Sequence, residues 1–119
     1  MYYHPMRYNF FKYEWLVENY RPVAILVLSS EKVEKDHKEA EVYKFFTEVS
    51  HQYGPRLDFM WIHDKYHNDA HLGIEDQFRF LGISKDRHKL PAVVLHLKRN
   101  LETFDNGHDN LILDSNQHK

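Results

Sequence analysis

Three histidines in "HDKYHNDAH", His63, His67 and His71, recur at i, i+4 and i+8. On a helix that spacing brings three imidazoles near one face, a donor set suited to zinc, copper or nickel, which Asp64, Asp69 or Glu75 could complete. The same stretch also reads as a strand end at His63 followed by a solvated loop, in a chain that carries ten histidines. The loop is the simpler account; the metal site stands as the alternative, and no cofactor is expected. What the chain lacks narrows the chemistry further. It has no cysteine, which removes disulfides, thiolate nucleophiles and Cys-based metal sites. No Gly-rich phosphate loop, nucleophile elbow or catalytic triad is recognisable. His37, in "EKDHKE", could carry a proton, but no nucleophile lies beside it in the sequence for it to activate.

Composition points to one soluble globular domain across 1–119, with loose ends at 1–8 and 114–119. The chain is 42% hydrophobic, with eight Phe, eight Tyr and two Trp, and only four Gly and four Pro, which argues against an extended disordered chain. Net charge is −2, and Lys and Arg are interspersed with Asp and Glu. That pattern gives no electrostatic footprint for nucleic acid. No apolar run approaches the roughly 20 residues of a membrane helix, and no secretory signal is visible, so direct membrane insertion is not expected.

Hydrophobic periodicity orders the chain as strand, helix, strand, helix, strand. "VAILVL", Val23–Leu28, is a continuous branched run, the signature of a strand buried on both faces. Val42, Phe46, Val49 and Tyr53 then form one helical stripe, stopped by Gly54-Pro55, with Asp36 or Ser30 as the N-cap. Leu57–Ile62 is the second strand, Ile74–Leu81 a short helix ended by Gly82, and Ala92–Leu97 a strand entered through Pro91. Upstream, Phe11 and Trp15 with Val17 or Tyr20 sit at helical spacing, which predicts a helix leading into Val23. Downstream only "NLIL" reads as a strand, with Asn106-Gly107 as a turn before it. Phe45, Phe46, Phe59, Trp61, Phe78 and Phe80 are expected to be mostly core.

The order "PVAILVLSS", long helix, "LDFMWIHD", helix ending "FLGI", and "LPAVVLHL" resembles the thioredoxin fold. More closely, over about residues 21–99, it resembles the redox-inactive b or b′ type domains of the protein disulfide isomerase family. The resemblance implies an α/β fold with a central mixed sheet flanked by helices. It also implies a cis bond at Leu90-Pro91, since "LPAV" matches the family's proline before the fourth strand. Where catalytic relatives place a Cys-x-x-Cys pair at a helix start, this chain has "EKDHKE", so the resemblance implies no enzyme activity for this chain alone.

For the b′ type the resemblance implies an apolar pocket beside the "F-G" helix end and the strand after the proline. By position that names Phe78, Leu81, Leu95 and Leu97, with Phe104 at the rim. Its occupants would be unfolded or partly folded client chains, or a co-chaperone, in the lumen of the endoplasmic reticulum. A pocket of this kind suits such ligands because burial of apolar area, at about 25 cal/mol per Å2, demands no particular sequence. One departure stands out: the long C-terminal helix that closes the family's sheet has no counterpart in the weakly patterned residues after Leu97. It could be missing, very short, or replaced by the N-terminal helix. A sheet face left uncovered would expose apolar surface, so a homo-oligomer, or a spacer that only self-associates, is a further expectation.

Overall fold

A computed structural model describes residues 4–19, 21–29, 41–54, 56–63, 74–84, 86–97 and 110–114. The elements are β1 (Met6–Arg7), α1 (Phe10–Glu18), β2 (Val23–Leu28), α2 (Glu41–Tyr53), β3 (Asp58–His63), α3 (Ile74–Leu81), β4 (Ala92–His96) and β5 (Leu111–Asp114). The fold is α/β, with one five-stranded mixed sheet in the order β1-β3-β2-β4-β5. β1 and β2 both run parallel to β3, whereas β4 is antiparallel to β2 and β5 antiparallel to β4.

The central position of β2 follows from its sequence. All six of its residues are buried, and an unbroken apolar strand is stable only with strands on both edges and cover on both faces. Successive side chains point to opposite faces, so the strand divides its residues between two cores. Val23, Ile25 and Val27 join Met60, Ile62, Val94 and Ile112 beneath α1 and α3. Ala24, Leu26 and Leu28 join Phe59 and Trp61 beneath Tyr43 and Phe46 of α2. At the lower end of β2 and β3, Arg21 Nε bonds Asp58 Oδ2 at 2.8 Å and the Asp58 amide donates to the Pro22 carbonyl. That half-exposed ion pair sets register more than it adds stability.

Helix ends are made by local chemistry. The Asn9 side chain accepts from the Lys12 amide at 2.9 Å and caps α1. At the end of α3, Gly82 adopts φ 88°, a conformation that costs a residue with a Cβ. The Gly82 and Ile83 amides then close on the Arg79 and Phe78 carbonyls, and Ile83 packs into the same core as Phe78.

The structure corrects the sequence reading at four points. In α1 the buried side chains are Tyr13, Leu16 and Val17, while Phe11 and Trp15 face solvent. The i, i+3, i+4 set wins because it is the one that meets the sheet. In α2, Tyr53 and Phe45 are exposed, and Tyr43 and Ser50 are buried in their place. β3 and β4 are each placed one residue from their expected ends. The stretches read as loose ends also contribute structure. Met6–Arg7 pairs with Met60 and Trp61, Tyr8 is fully buried with its amide on the Trp61 carbonyl, and Asp114 is buried. The expected caps Ser30 and Asp36, the Asn106-Gly107 turn and Pro55 lie outside the described residues.

A polar lock ties the lower end of the first core together. Asn110 Nδ2 donates to Tyr13 Oη at 3.0 Å and to the Leu81 carbonyl at 2.9 Å. Both amide hydrogens are thereby used, so Asn110 Oδ1 accepts from His96 Nδ1 at 2.8 Å, which places the proton on that nitrogen. One side chain thus joins α1, α3 and β4. At the opposite end, buried Asp114 accepts from the Lys89 amide at 2.6 Å, and Ser84 donates its amide to His88 Nδ1, which fixes the approach to β4.

Two consequences are measurable. Burial pushes the Tyr13 hydroxyl from an ordinary pKa of 10.0 up to about 12, against the opposing pull of Asn110. The folded state therefore holds this proton longer than the unfolded chain does. Stability from the group is complete below pH about 10 and is lost as pH rises through about 12, by roughly 2–3 kcal/mol. Chemical denaturation across that window should show the loss, and Tyr13→Phe should flatten it. Gln77 of α3 is fully buried with neither amide atom hydrogen-bonded. Replacing a buried, unsatisfied amide with a side chain of similar shape removes a desolvation cost of about 1–3 kcal/mol. Gln77→Met should raise the denaturation midpoint; a lower midpoint would show that the amide has a partner.

Candidate functional site

The residues singled out for a client pocket do not converge. Phe78 and Leu81 are 4% and 0% exposed and belong to the core under α1 and α3. Leu95 packs against the other core, the one under α2. The reason is the two-residue period of β4: Ala92 and Val94 face the α3 side, so Val93 and Leu95 face away from it. Phe78 and Leu81 therefore cannot line one pocket with Leu95. Leu97, one residue past β4, is 39% exposed. Leu90 packs against the first core, Pro91 is half-buried, and the bond between them is cis. Phe104 lies outside the described residues.

The histidine series is likewise only partly described. His63 ends β3, half-buried, with its ring centroid 6.2 Å from that of Trp61. His67, His71 and the "EKDHKE" segment lie outside the described residues. Among the described residues no three His, Asp or Glu side chains are grouped to hold a metal ion.

A different surface emerges from the register of β4 and β5. Val93 lies opposite Leu113, and Leu95 opposite Leu111. Directly opposed residues share a face, so these four aliphatic side chains form a floor on the α2 side of the sheet. Val94 and Ile112 form the matching pair on the far side, buried under α1 and α3. The floor is not buried. Leu111 and Leu113 are 49% and 42% exposed, and Val93 and Leu95 are half-buried.

The flank of α2 beside this floor is also apolar. On a helix of 3.6 residues per turn, Val42, Val49 and Tyr53 form one stripe, with Phe45 next to it toward solvent. The opposite flank carries His51, whose ring lies 4.9 Å from His4 at the β1 edge. The right-handed β2–α2–β3 crossover gives the same orientation. The Val42 and Val49 flank is therefore turned away from β1, and both valines pack against the core of Ala24, Leu26, Leu28, Phe59 and Trp61.

Floor and flank together make an open trough. Among the described residues, five of the eight exposed large apolar side chains belong to it or border it: Phe45, Tyr53, Leu97, Leu111 and Leu113. Single exposed apolar residues are ordinary, but a contiguous set of them marks an interaction site. Phe11 and Trp15 of α1 form only a pair on a convex helix face, with Lys12 Nζ 4.7 Å from the Trp15 ring centroid. Among the described residues the surface of the trough is aliphatic and aromatic.

Stability separates trough from core. Phe78→Ala and Leu81→Ala should each cost about 2–5 kcal/mol by urea denaturation, as buried truncations do. Leu111→Ala and Leu113→Ala should each cost about 1 kcal/mol or less, because both side chains are already half in water. Equal costs for the two pairs would remove the distinction. The chain matches no protein-family model, no curated protein and no solved structure.

Proposed function

We propose that this chain is a non-catalytic, thioredoxin-like binding module that holds apolar segments of unfolded or partly folded protein chains in its trough. The observation that carries the proposal is the aliphatic floor of half-buried Val93 and Leu95 and exposed Leu111 and Leu113, on the face of the sheet that α2 covers. The strand order β1-β3-β2-β4-β5, with β4 running opposite to the other four strands, supports a thioredoxin-like layout. The absence of cysteine from the sequence removes the dithiol chemistry that such a layout hosts elsewhere. The resulting proposal is a module of the redox-inactive protein disulfide isomerase type, working in the endoplasmic reticulum beside catalytic domains of its own or another chain. A co-chaperone with an exposed apolar segment would use the same surface.

Titration of the isotope-labelled protein with an unfolded, cysteine-free model peptide, followed by NMR, tests this reading. Amide shifts should cluster at Val93, Leu95, Leu111 and Leu113 and vanish in Leu113→Asp. Shifts confined to Phe11 and Trp15 would relocate the site to α1, and an unchanged spectrum at millimolar peptide would overturn the binding proposal altogether.

A further inference from the structure

We infer that α3 opens from the rest of the fold while β2, β3 and β4 stay paired, and that the buried amide of Gln77 sets how often it opens. Gln77 is 0% exposed, and its helix neighbours Phe78 and Leu81 belong to the first core. Among the described residues neither the nitrogen nor the oxygen of its side chain has a hydrogen-bond partner. A primary amide carries two donors and an acceptor, and closing α3 strips water from all of them. The cost is felt only in the closed state. Relative to an apolar side chain of the same shape, it multiplies the equilibrium constant for opening by about 5- to 100-fold.

α3 has little to set against that cost. It is eight residues long, too short to hold a helix by itself in water, so its helical form depends on what it buries. Among the described side chains it buries two apolar ones, Phe78 and Leu81, and the Gln77 amide. The pair of Asp76 with Arg79 lies on its exposed side and links α3 only to itself. Its neighbour on the same face differs in kind. α1 buries Tyr13, Leu16 and Val17, and the polar atom in that set, the Tyr13 hydroxyl, is bonded to Asn110.

The hinge lies at the C-terminal end of α3. Gly82, at φ 88°, has no Cβ to oppose a change of backbone direction. On one side of it the Leu81 carbonyl accepts from Asn110 at 2.9 Å, and on the other Ile83 is buried in the first core. Both hold the hinge in place, so the movement falls on the turns that carry Gln77 and Phe78. Once off the sheet those turns lose their helical hydrogen bonds, because a segment this short does not keep them alone. Opening bares Phe78 and the core it packs into, an apolar surface that the closed protein hides. α3 is thereby a lid on the first core, and it works independently of the trough.

Native-state hydrogen exchange of the isotope-labelled protein, followed by NMR at urea concentrations below the unfolding transition, tests this. Amides of Phe78, Arg79 and Phe80 should be about 100-fold less protected than those of Ile25 and Leu26 in β2. Their protection should hardly change with urea, whereas that of β2 falls steeply, because local opening exposes little surface and global unfolding exposes much. Gln77→Met, checked for an unchanged circular dichroism spectrum, should raise protection at the three α3 amides about fivefold or more. Equal protection and equal urea dependence in α3 and β2 would show that α3 opens only when the whole protein unfolds, and would overturn the inference from the unmutated protein alone. Protection in α3 left unchanged or lowered by Gln77→Met would overturn the part assigned to the amide, a lowering by showing that the amide has a partner.

Discussion

Burying Val23–Leu28 on both faces is the demand from which the rest of the structure follows. Six consecutive apolar side chains alternate above and below the sheet, so no single layer of helix could shield them. Parallel pairing with β3 requires a crossover, which α2 supplies on one face, and antiparallel pairing with β4 closes the other edge. α1 and α3 then cover the second face. Five of its six buried side chains, all but Ala24, each contribute about 1.5–3 kcal/mol.

The same demand leaves the two faces unequal. α2 is a single helix, and its most buried residues, Tyr43 and Phe46, sit over Trp61 and Phe59 of β3. One helix can shield about two strands, so β4 and β5 extend past its cover. On the opposite face the extension is closed by α3 and pinned by the Asn110 bonds to Tyr13, Leu81 and His96. The polar lock explains why the closed face is closed there. Three partners on one part-buried side chain cost more to break than to keep, and each belongs to a different element.

Much of this was legible in the residues, and the failures share one cause. Val23–Leu28 and Ile74–Leu81 are where their patterns put them, because a continuous branched run and a Gly82-terminated helix are local signals. The strand in "NLIL" was also visible. What local pattern cannot give is direction. "AVVLHL" is apolar throughout, so nothing within it says which residues face α3 and which face α2; only the register with β2 and β5 does. That is why Phe78, Leu81 and Leu95 looked like one pocket and are not. Likewise, Phe11 and Trp15 carried the helical spacing of α1 while Tyr13, Leu16 and Val17 carried its contacts. The two-residue β1 has too few side chains to show any period.

The trough's composition also bounds the kind of binding it can support. Its exposed side chains are already about half shielded, so completing the burial of Phe45, Leu97, Leu111 and Leu113 gains about 1 kcal/mol each, with a similar gain from the groups that cover them. Gross stabilisation of roughly 8 kcal/mol must meet an association cost of about 4–15 kcal/mol. Apolar area alone therefore leaves weak complexes that form and dissociate quickly. An occupant that arrives with its backbone already ordered loses less conformational entropy and keeps more of the gross term. Among the described residues the surface of Val93, Leu95, Leu111 and Leu113 is aliphatic, so what it gains from cover depends on apolar area and not on a particular sequence.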